Sequence, residues 1–258
     1  MRVIDHPFTD PFFNLAAEEY LFRHTVETET VCMLWQNRPC VSIGKHQDAA
    51  SEVNRVFAQA HHILLIRRFS GGGAVYHDLG NLNITLIGSL EAAYPRRFTD
   101  WLAGFLQRAG IPAVADDRHA LYADGLKLSG SAQYVRRNRL LHHATLLFST
   151  DLDRLRQVLD APPSHQPTQV AGSSVRRLFT KSVKSPVGNV SDFGEPVLSL
   201  DAFREQLRQA MLTDPTSPLR CPEAVVCSRL ERLEIEAIKR LRNEKYANPT
   251  WNIQTYPL

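Results

Sequence analysis

Two short stretches of this chain concentrate residue types that handle anions. The first is Arg67-Arg68-Phe69-Ser70-Gly71-Gly72-Gly73-Ala74-Val75-Tyr76-His77-Asp78, where three of the chain's 13 glycines are consecutive. Glycine allows positive φ and close approach of backbone to a ligand, and successive N–H groups can form an anion-binding concavity. The Arg pair adds donors suited to a carboxylate or phosphate. Neither GxxxxGK[ST] nor GxGxxG is present. The stretch therefore reads as an anion cradle of unspecified chemistry, set against a plain turn beside a solvated Arg pair.

The second stretch is Asp124-Gly125-Leu126-Lys127-Leu128-Ser129-Gly130-Ser131-Ala132-Gln133. Asp-Gly is a hairpin turn signal. In the strand that follows, the two-residue period sends Leu126 and Leu128 one way and Lys127 the other. A lysine so placed can enter a cleft and offset charge on a carboxylate or a mixed anhydride. The commoner fate of such a lysine is solvent. Its rarity adds weight: of 30 basic residues only Lys45, Lys127, Lys181, Lys184, Lys239 and Lys245 are lysines. Lysine is a compact charge with a readily shifted pKa, whereas arginine is a planar fork.

The surrounding pattern supplies elements to hold these stretches. Phe12 to Arg23, opened by Pro11, reads as an amphipathic helix with Glu18 and Glu19 between the apolar positions and so on its polar face. Val31–Trp35 and Cys40–Gly44 read as a hairpin around Gln36-Asn37-Arg38-Pro39. Glu52–His61 reads as one helix, and Ile63–Ile66 as a buried strand leading into the glycines. Ala74–Tyr76, Leu82–Ile87, Leu121–Tyr122, Leu126–Ser129 and Ala144–Ser149 read as strands. Phe98–Ala109, Asp151–Leu159, Phe203–Leu212 and Leu230–Arg242 read as helices, and Arg136-Arg137-Asn138-Arg139 as a hairpin tip. Helices interleave with strands whose short connections favour antiparallel pairing. The expected fold is α/β (α+β), with mixed, largely antiparallel sheets flanked by helices, in one domain over residues 1–258.

Composition narrows the function classes. With 43% hydrophobic and 22% charged residues, the chain has the make-up of a globular protein rather than a disordered one. A net charge of +3 does not mark a nucleic-acid binder. No stretch approaches the ~18 apolar residues of a membrane span. Cys32, Cys40, Cys221 and Cys227 form no CxxC pair, so a disulfide framework or zinc site is not expected, and a cytoplasmic location is. His61-His62 and His142-His143 are adjacent pairs; on a strand each would offer one ligand to a side, so no tightly bound metal is expected. The proline-bearing segment from Pro162 to Arg177 reads as a mobile loop able to close over the site.

Taken together, RRFSGGGAVYHDLGNLNITL, DGLKLSGSAQ and LLHHATLLFSTDLDRL resemble the lipoate–protein ligase A family. PFFNLAAEEYLF, WQNRPCVSIGKHQDAASEVN and SVKSPVGNVSDF resemble further blocks of it in the same order, over roughly residues 2–193. The resemblance implies a biotin/lipoate protein ligase-like catalytic domain. It also implies a two-step reaction: lipoate and ATP, with Mg²⁺ carried on the ATP, give lipoyl-adenylate, which then acylates a lysine of a carrier protein. The implied partners are lipoyl-carrier proteins such as 2-oxoacid dehydrogenase E2 domains and the glycine cleavage H protein. Lys127 matches the family's essential lysine. Arg68, Ser70, Gly71, Gly72, Gly73, Ala74, Val75 and Tyr76 match its adenylate-binding stretch, continued by His77, Asp78 and Asn81. His143 and Thr145 match the strand beside the nucleotide, and Leu15, Trp35 and Val41 the acyl slot.

Many bacterial members carry a smaller accessory domain after the segment resembling Tyr246–Ile253, whereas this chain ends at Leu258. That leaves open a self-sufficient short form, a catalytic subunit needing a separate accessory protein, and a lipoyl or octanoyl transferase fed with preformed acyl-adenylate or another donor. The octanoyltransferase relatives use a cysteine shortly before the lysine strand in one branch. Ala115-Asp116-Asp117-Arg118-His119-Ala120-Leu121-Tyr122 contains none, which favours the ligase. A silent carrier-binding adaptor is the third class, opposed by the intact glycine and lysine motifs.

Overall fold

Val31-Cys32-Met33-Leu34-Trp35 is apolar throughout and buried at every position, the mark of a strand covered on both faces. It lies inside a six-stranded sheet of a computed structural model that describes residues 1–26, 28–91, 94–161, 180–193, 199–218 and 226–253. The elements are β1 (Arg2–Asp5), α1 (Pro11–His24), β2 (Val31–Trp35), β3 (Cys40–Ile43), α2 (Ala49–Glu52), α3 (Arg55–Ala60), β4 (Leu64–Arg67), β5 (Val75–His77) and β6 (Asn81–Ser89). They continue as α4 (Pro95–Arg108), β7 (Val114–Ala115), β8 (Leu121–Ala123), β9 (Leu126–Lys127), β10 (Ser129–Arg136), β11 (Arg139–Leu147) and α5 (Leu152–Val158). After these come α6 (Leu200–Thr213), β12 (Val226–Ser228), α7 (Arg232–Leu241) and α8 (Pro249–Ile253), with a π-helical turn at Arg242–Tyr246.

The large sheet has the order β10-β11-β6-β2-β1-β12, antiparallel from β10 to β2 and parallel beyond. A second sheet runs β4-β3-β5 and a third β7-β8-β9. Alternation on β2 and β6 divides the core. Cys32, Leu34, Leu82, Ile84 and Leu86 pack against α4 and α6, while Val31, Met33, Trp35 and Ile87 pack with α1 and the α7 end. This is the mixed, largely antiparallel α/β architecture expected. The Asp124-Gly125 hairpin is present, with φ of 47° and 77° and Tyr122 opposite Lys127. The Arg137-Asn138 tip closes β10 onto β11, with Arg136 opposite Arg139. The proline-bearing segment and Cys221 lie outside the described residues.

Three local readings are corrected. β2 and β3 are not a hairpin but belong to different sheets. The link between them is held by the buried Asn37, whose amide meets Asn14, Cys40 and His77, so the chain crosses between sheets instead of turning back. The helix expected over Glu52–His61 is two, because Val53 is extended and the Asn54 side chain accepts from the Phe57 N–H to start α3 afresh. Glu18 and Glu19 are not on a solvated face of α1, because both are buried. Glu19 accepts from Lys245 and from the Tyr246 hydroxyl. Among the described residues no helix is long and apolar enough to cross a membrane.

Three buried histidines give the fold a pH dependence. His142 sits among Phe98 and His119 with neither ring nitrogen partnered, and burial pushes its pKa down to about 3. Burial likewise lowers His6 to about 4, helped by Arg204, and His77 to about 3, helped by Arg68 and His143. Unfolded, each would titrate near its ordinary 6.5, so below that pH the unfolded chain binds more protons and stability falls as pH falls. Each histidine contributes a slope of about 1.4 kcal/mol per pH unit between roughly pH 6 and 4. Urea melts across that range are expected to show this loss, and His142→Leu to remove about a third of it. An unchanged slope in the variant would contradict the assignment.

Candidate active site

The two sequence-marked stretches meet. β4 delivers Arg67 and Arg68 to the glycine turn, β5 carries the chain back, and the β8–β9 hairpin brings Lys127 to the opposite wall. Between the large sheet and the β4-β3-β5 sheet lies a cavity of about 320 Å³. Its walls include Arg68, Gly72, Gly73, Ala74, Val75, His77, Lys127, His143 and Thr145, and its apolar end is formed by Leu15 and Trp35. A second cavity of about 960 Å³ adjoins it, sharing Ala74, Val75, Lys127, Gly130, Thr145 and Lys181, and adding Tyr76. Val41, expected in the acyl slot, packs in a separate core cluster with Tyr76 and Ala49 instead.

Glycine is required where the loop folds back. Gly72 has φ of 90°, and a Cβ on Gly44 would stand 2.1 Å from the Gly72 carbonyl oxygen. The Arg pair does not aim its forks at the cavity as the sequence suggested. Arg68 donates to the carbonyls of Ser42, Gly71 and Gly73, fixing the loop from within. Burial lowers its pKa to about 10, with Glu18 opposing the shift. Arg67 is fully buried and donates to the carbonyls of Gly44, Lys45, Gln47, Trp251 and Asn252. The loop's inner carbonyls are thereby occupied.

Ser70, buried beneath the loop, meets His143 Nε2 at 3.0 Å, and His143 Nδ1 meets Glu18 Oε1 at 2.9 Å. The same carboxylate oxygen accepts from Thr85, whose hydroxyl accepts from the Trp35 indole N–H. Nδ1 donates to Glu18, leaving Nε2 to accept from the Ser70 hydroxyl, so one chain of hydrogen bonds fixes His143 and Trp35 in the cavity wall. Glu18 is the site residue that sequence reading missed. Its signal was a pair of acids inside an otherwise apolar helix. Asp78 and Asn81 line neither cavity. Asp78 accepts from the N–H groups of Gly80 and Asp151, and Asn81 donates to Asn83, so they shape the turn after β5.

Lys127 is half-buried, and burial lowers its pKa; Asp116 opposes that and Arg118 adds to it. Its backbone is clamped by Pro186 and Gly188. Leu128 enters the core as the strand period requires, whereas Leu126 lines the second cavity. Cys32 and Cys40 are buried with their thiol pKa values pushed up, Cys32 to about 12, and neither lines a cavity. No cluster of His, Cys, Asp or Glu among the described residues is arranged to hold a metal ion.

A domain with a glycine turn and a single strand-borne lysine facing across a cavity that is apolar at one end has the build of an enzyme activating a carboxylic acid. The lipoyl protein ligase A/B catalytic domain family matches residues 10–212. The chain is 31% identical to lipoate-protein ligase LplJ of Bacillus subtilis, over its full length and 75% of the relative's. It is 30% identical to lipoate–protein ligase 1 of Staphylococcus aureus, over 99% of its length and 74% of the relative's. A crystal structure of lipoate-protein ligase A bound with ATP superposes with a TM-score of 0.79 at 25% identity, covering 99% of each chain. The bi-partite lipoate protein ligase of Thermoplasma acidophilum, solved in a study with its E2 lipoyl domain, gives 0.80 at 25% identity, covering 100% of this chain and 97% of that one. The chain belongs to the lipoyl protein ligase A/B catalytic-domain family.

Proposed function

We propose that the chain is an ATP-dependent lipoate–protein ligase, which activates lipoate as lipoyl-adenylate and transfers the lipoyl group to a lysine of a carrier domain. The observation that carries this reading is the convergence of Lys127 and the glycine loop at the junction of two cavities, one ending on Leu15 and Trp35 and the other wide enough for a nucleotide. The acyl tail would enter the first cavity and place its carboxylate at the junction. ATP, bringing Mg²⁺ as part of the substrate complex, would fill the second and present its α-phosphate there.

Holding two anions in line for attack is the main requirement of the first step. Lys127 would bridge carboxylate and α-phosphate, and glycine-loop N–H groups would hold the phosphate oxygens. Arg68, Ser70 and Gly71 support the loop, Gly72, Gly73, Ala74, Val75 and His77 border the adenylate, and His143 and Thr145 form the floor. Tyr76 borders the nucleotide, while Asp78 and Asn81 hold the turn. In the second step the neutral amine of the acceptor lysine attacks the carbonyl and AMP leaves with the bonding electron pair. No enzyme nucleophile is needed, in keeping with inert buried thiols at Cys32 and Cys40.

The ATP-bound ligase structure supports the nucleotide, and the E2 lipoyl domain studied with the Thermoplasma acidophilum ligase supports carrier domains as partners. We extend the partner class to the glycine cleavage H protein and place the chain in the cytoplasm, where such thiols stay reduced. Lipoate-dependent exchange of labelled pyrophosphate into ATP is the test. Exchange by the purified chain is the expected result. Transfer from supplied lipoyl-adenylate without exchange would favour a transferase or an accessory subunit, and no activity in either assay would overturn the enzyme reading.

A further inference from the structure

Among the described residues, the phosphate side of this site has few cations free to meet a substrate. The guanidinium of Arg67 is engaged with five backbone carbonyls, and that of Arg68 with the carbonyls of Ser42, Gly71 and Gly73. Of the other cations bordering the second cavity, Arg156 is paired with Asp153 and Lys184 with Asp160. Arg118 borders only the smaller cavity. Setting Lys181 aside, Lys127 is the one unpaired cation among the described residues bordering the second cavity, facing a substrate that brings a triphosphate.

Lys181 is the remaining cation among the described residues of the second cavity. It borders both cavities, and its ammonium has no ion-pair partner among the described residues. The side chain is exposed, but its root is fixed. On one side Thr180 donates its N–H to the His46 carbonyl at 3.1 Å. On the other, Ser182 donates its N–H to the Glu52 carboxylate, and its hydroxyl oxygen accepts from the Ala74 N–H at 2.8 Å and from Gln47 at 3.0 Å. Farther along, Lys127 donates its N–H to the Pro186 carbonyl at 2.9 Å and accepts from the Gly188 N–H at 3.2 Å. One short segment thus ties the glycine loop to the lysine strand and roots Lys181 where they meet.

We propose that Lys181 is a second phosphate-binding residue, which takes the β-phosphate side of Mg·ATP and then the departing pyrophosphate, while Lys127 serves the carboxylate and α-phosphate. The assignment rests on the ligase reading above. In adenylation a carboxylate oxygen attacks the α-phosphorus, the bond from that phosphorus to the bridging oxygen breaks, and the electron pair leaves on the pyrophosphate. The charge that develops lies on the bridging oxygen, on the side away from the acyl group. A point charge on a flexible stem suits a group that moves off as it leaves.

The test is titration of Mg·ATP and of lipoyl-adenylate into the unaltered chain, Lys181→Ala and Lys181→Arg. Loss of one charge-assisted contact is expected to weaken Mg·ATP about tenfold in the alanine variant. Lipoyl-adenylate, which has no β-phosphate, should weaken less than twofold. The arginine variant should recover most of the ATP affinity, and inorganic pyrophosphate should compete with ATP less well in Lys181→Ala. Equal ATP affinity in the unaltered chain and Lys181→Ala would overturn the proposal, as would parallel losses for both ligands, which would mean a distorted segment. Failure of the ligase reading looks different: the unaltered chain itself would take up no Mg·ATP.

Discussion

Lys127→Ala is expected to reduce both adenylation and transfer by about 10³-fold, the scale set by removing a group that stabilises developing charge in a water-poor site. The melting temperature should stay within about 2 °C, because the half-buried side chain makes no described ion pair while its backbone keeps its pairing with Tyr122 and Val187. Both steps should fall together, because on the proposed mechanism the junction it occupies would hold the carboxylate in the first and the same carbonyl in the second. Lys127→Arg is not expected to restore activity. A planar fork cannot sit as a point between two anions, and its longer reach would drive it into the glycine loop. Pyrophosphate exchange and transfer from supplied lipoyl-adenylate, measured on the same preparation, decide the matter. Near-normal transfer by the alanine variant would remove Lys127 from the mechanism.

The hairpin that carries Lys127 was legible from the sequence because its evidence is local, although that evidence alone favoured solvent and only the family resemblance marked the lysine for the site. A turn dipeptide, a two-residue period and one lysine among apolar neighbours lie within a few residues, and the hairpin forms as read. The glycine stretch was legible as a tight turn for the same reason, and its link to an adenylate came only from the resemblance. Its arginines were misread because a guanidinium near glycines suits a bound anion and a ring of carbonyls equally well. Only the folded positions of Ser42, Gly71 and Gly73 show which acceptors Arg68 meets. Glu18 was marked only by the pair of acids in its helix, and its role was hidden because its partners Thr85 and His143 lie 67 and 125 residues away in sequence. The supposed β2–β3 hairpin failed because Asn37 has a buried hydrogen-bonding role that the turn-like spelling Gln-Asn-Arg-Pro does not reveal.

Arg67→Met should produce the largest loss of stability of any single change in this region. The guanidinium satisfies the carbonyls of Gly44, Lys45 and Gln47 on one side and of Trp251 and Asn252 on the other, all around a side chain with no solvent exposure. Methionine fills similar volume but leaves those acceptors unmet, at about 1–3 kcal/mol for each that water cannot reach. Relaxation will reduce the sum, and a net loss of about 3–5 kcal/mol is expected. For a chain of this size that corresponds to a drop of about 10 °C in Tm. Lysine should not rescue it, since three donors on one nitrogen cannot span two groups of carbonyls on opposite sides. The effect should also reach the site. Gly44 lies against the Gly72 carbonyl, so freeing residues 44–47 releases the turn that the adenylate would need. Below the melting transition, KM for ATP should therefore rise more than kcat falls. A variant melting within 2 °C of the unaltered chain would show that Arg67 does not hold the loop to α8.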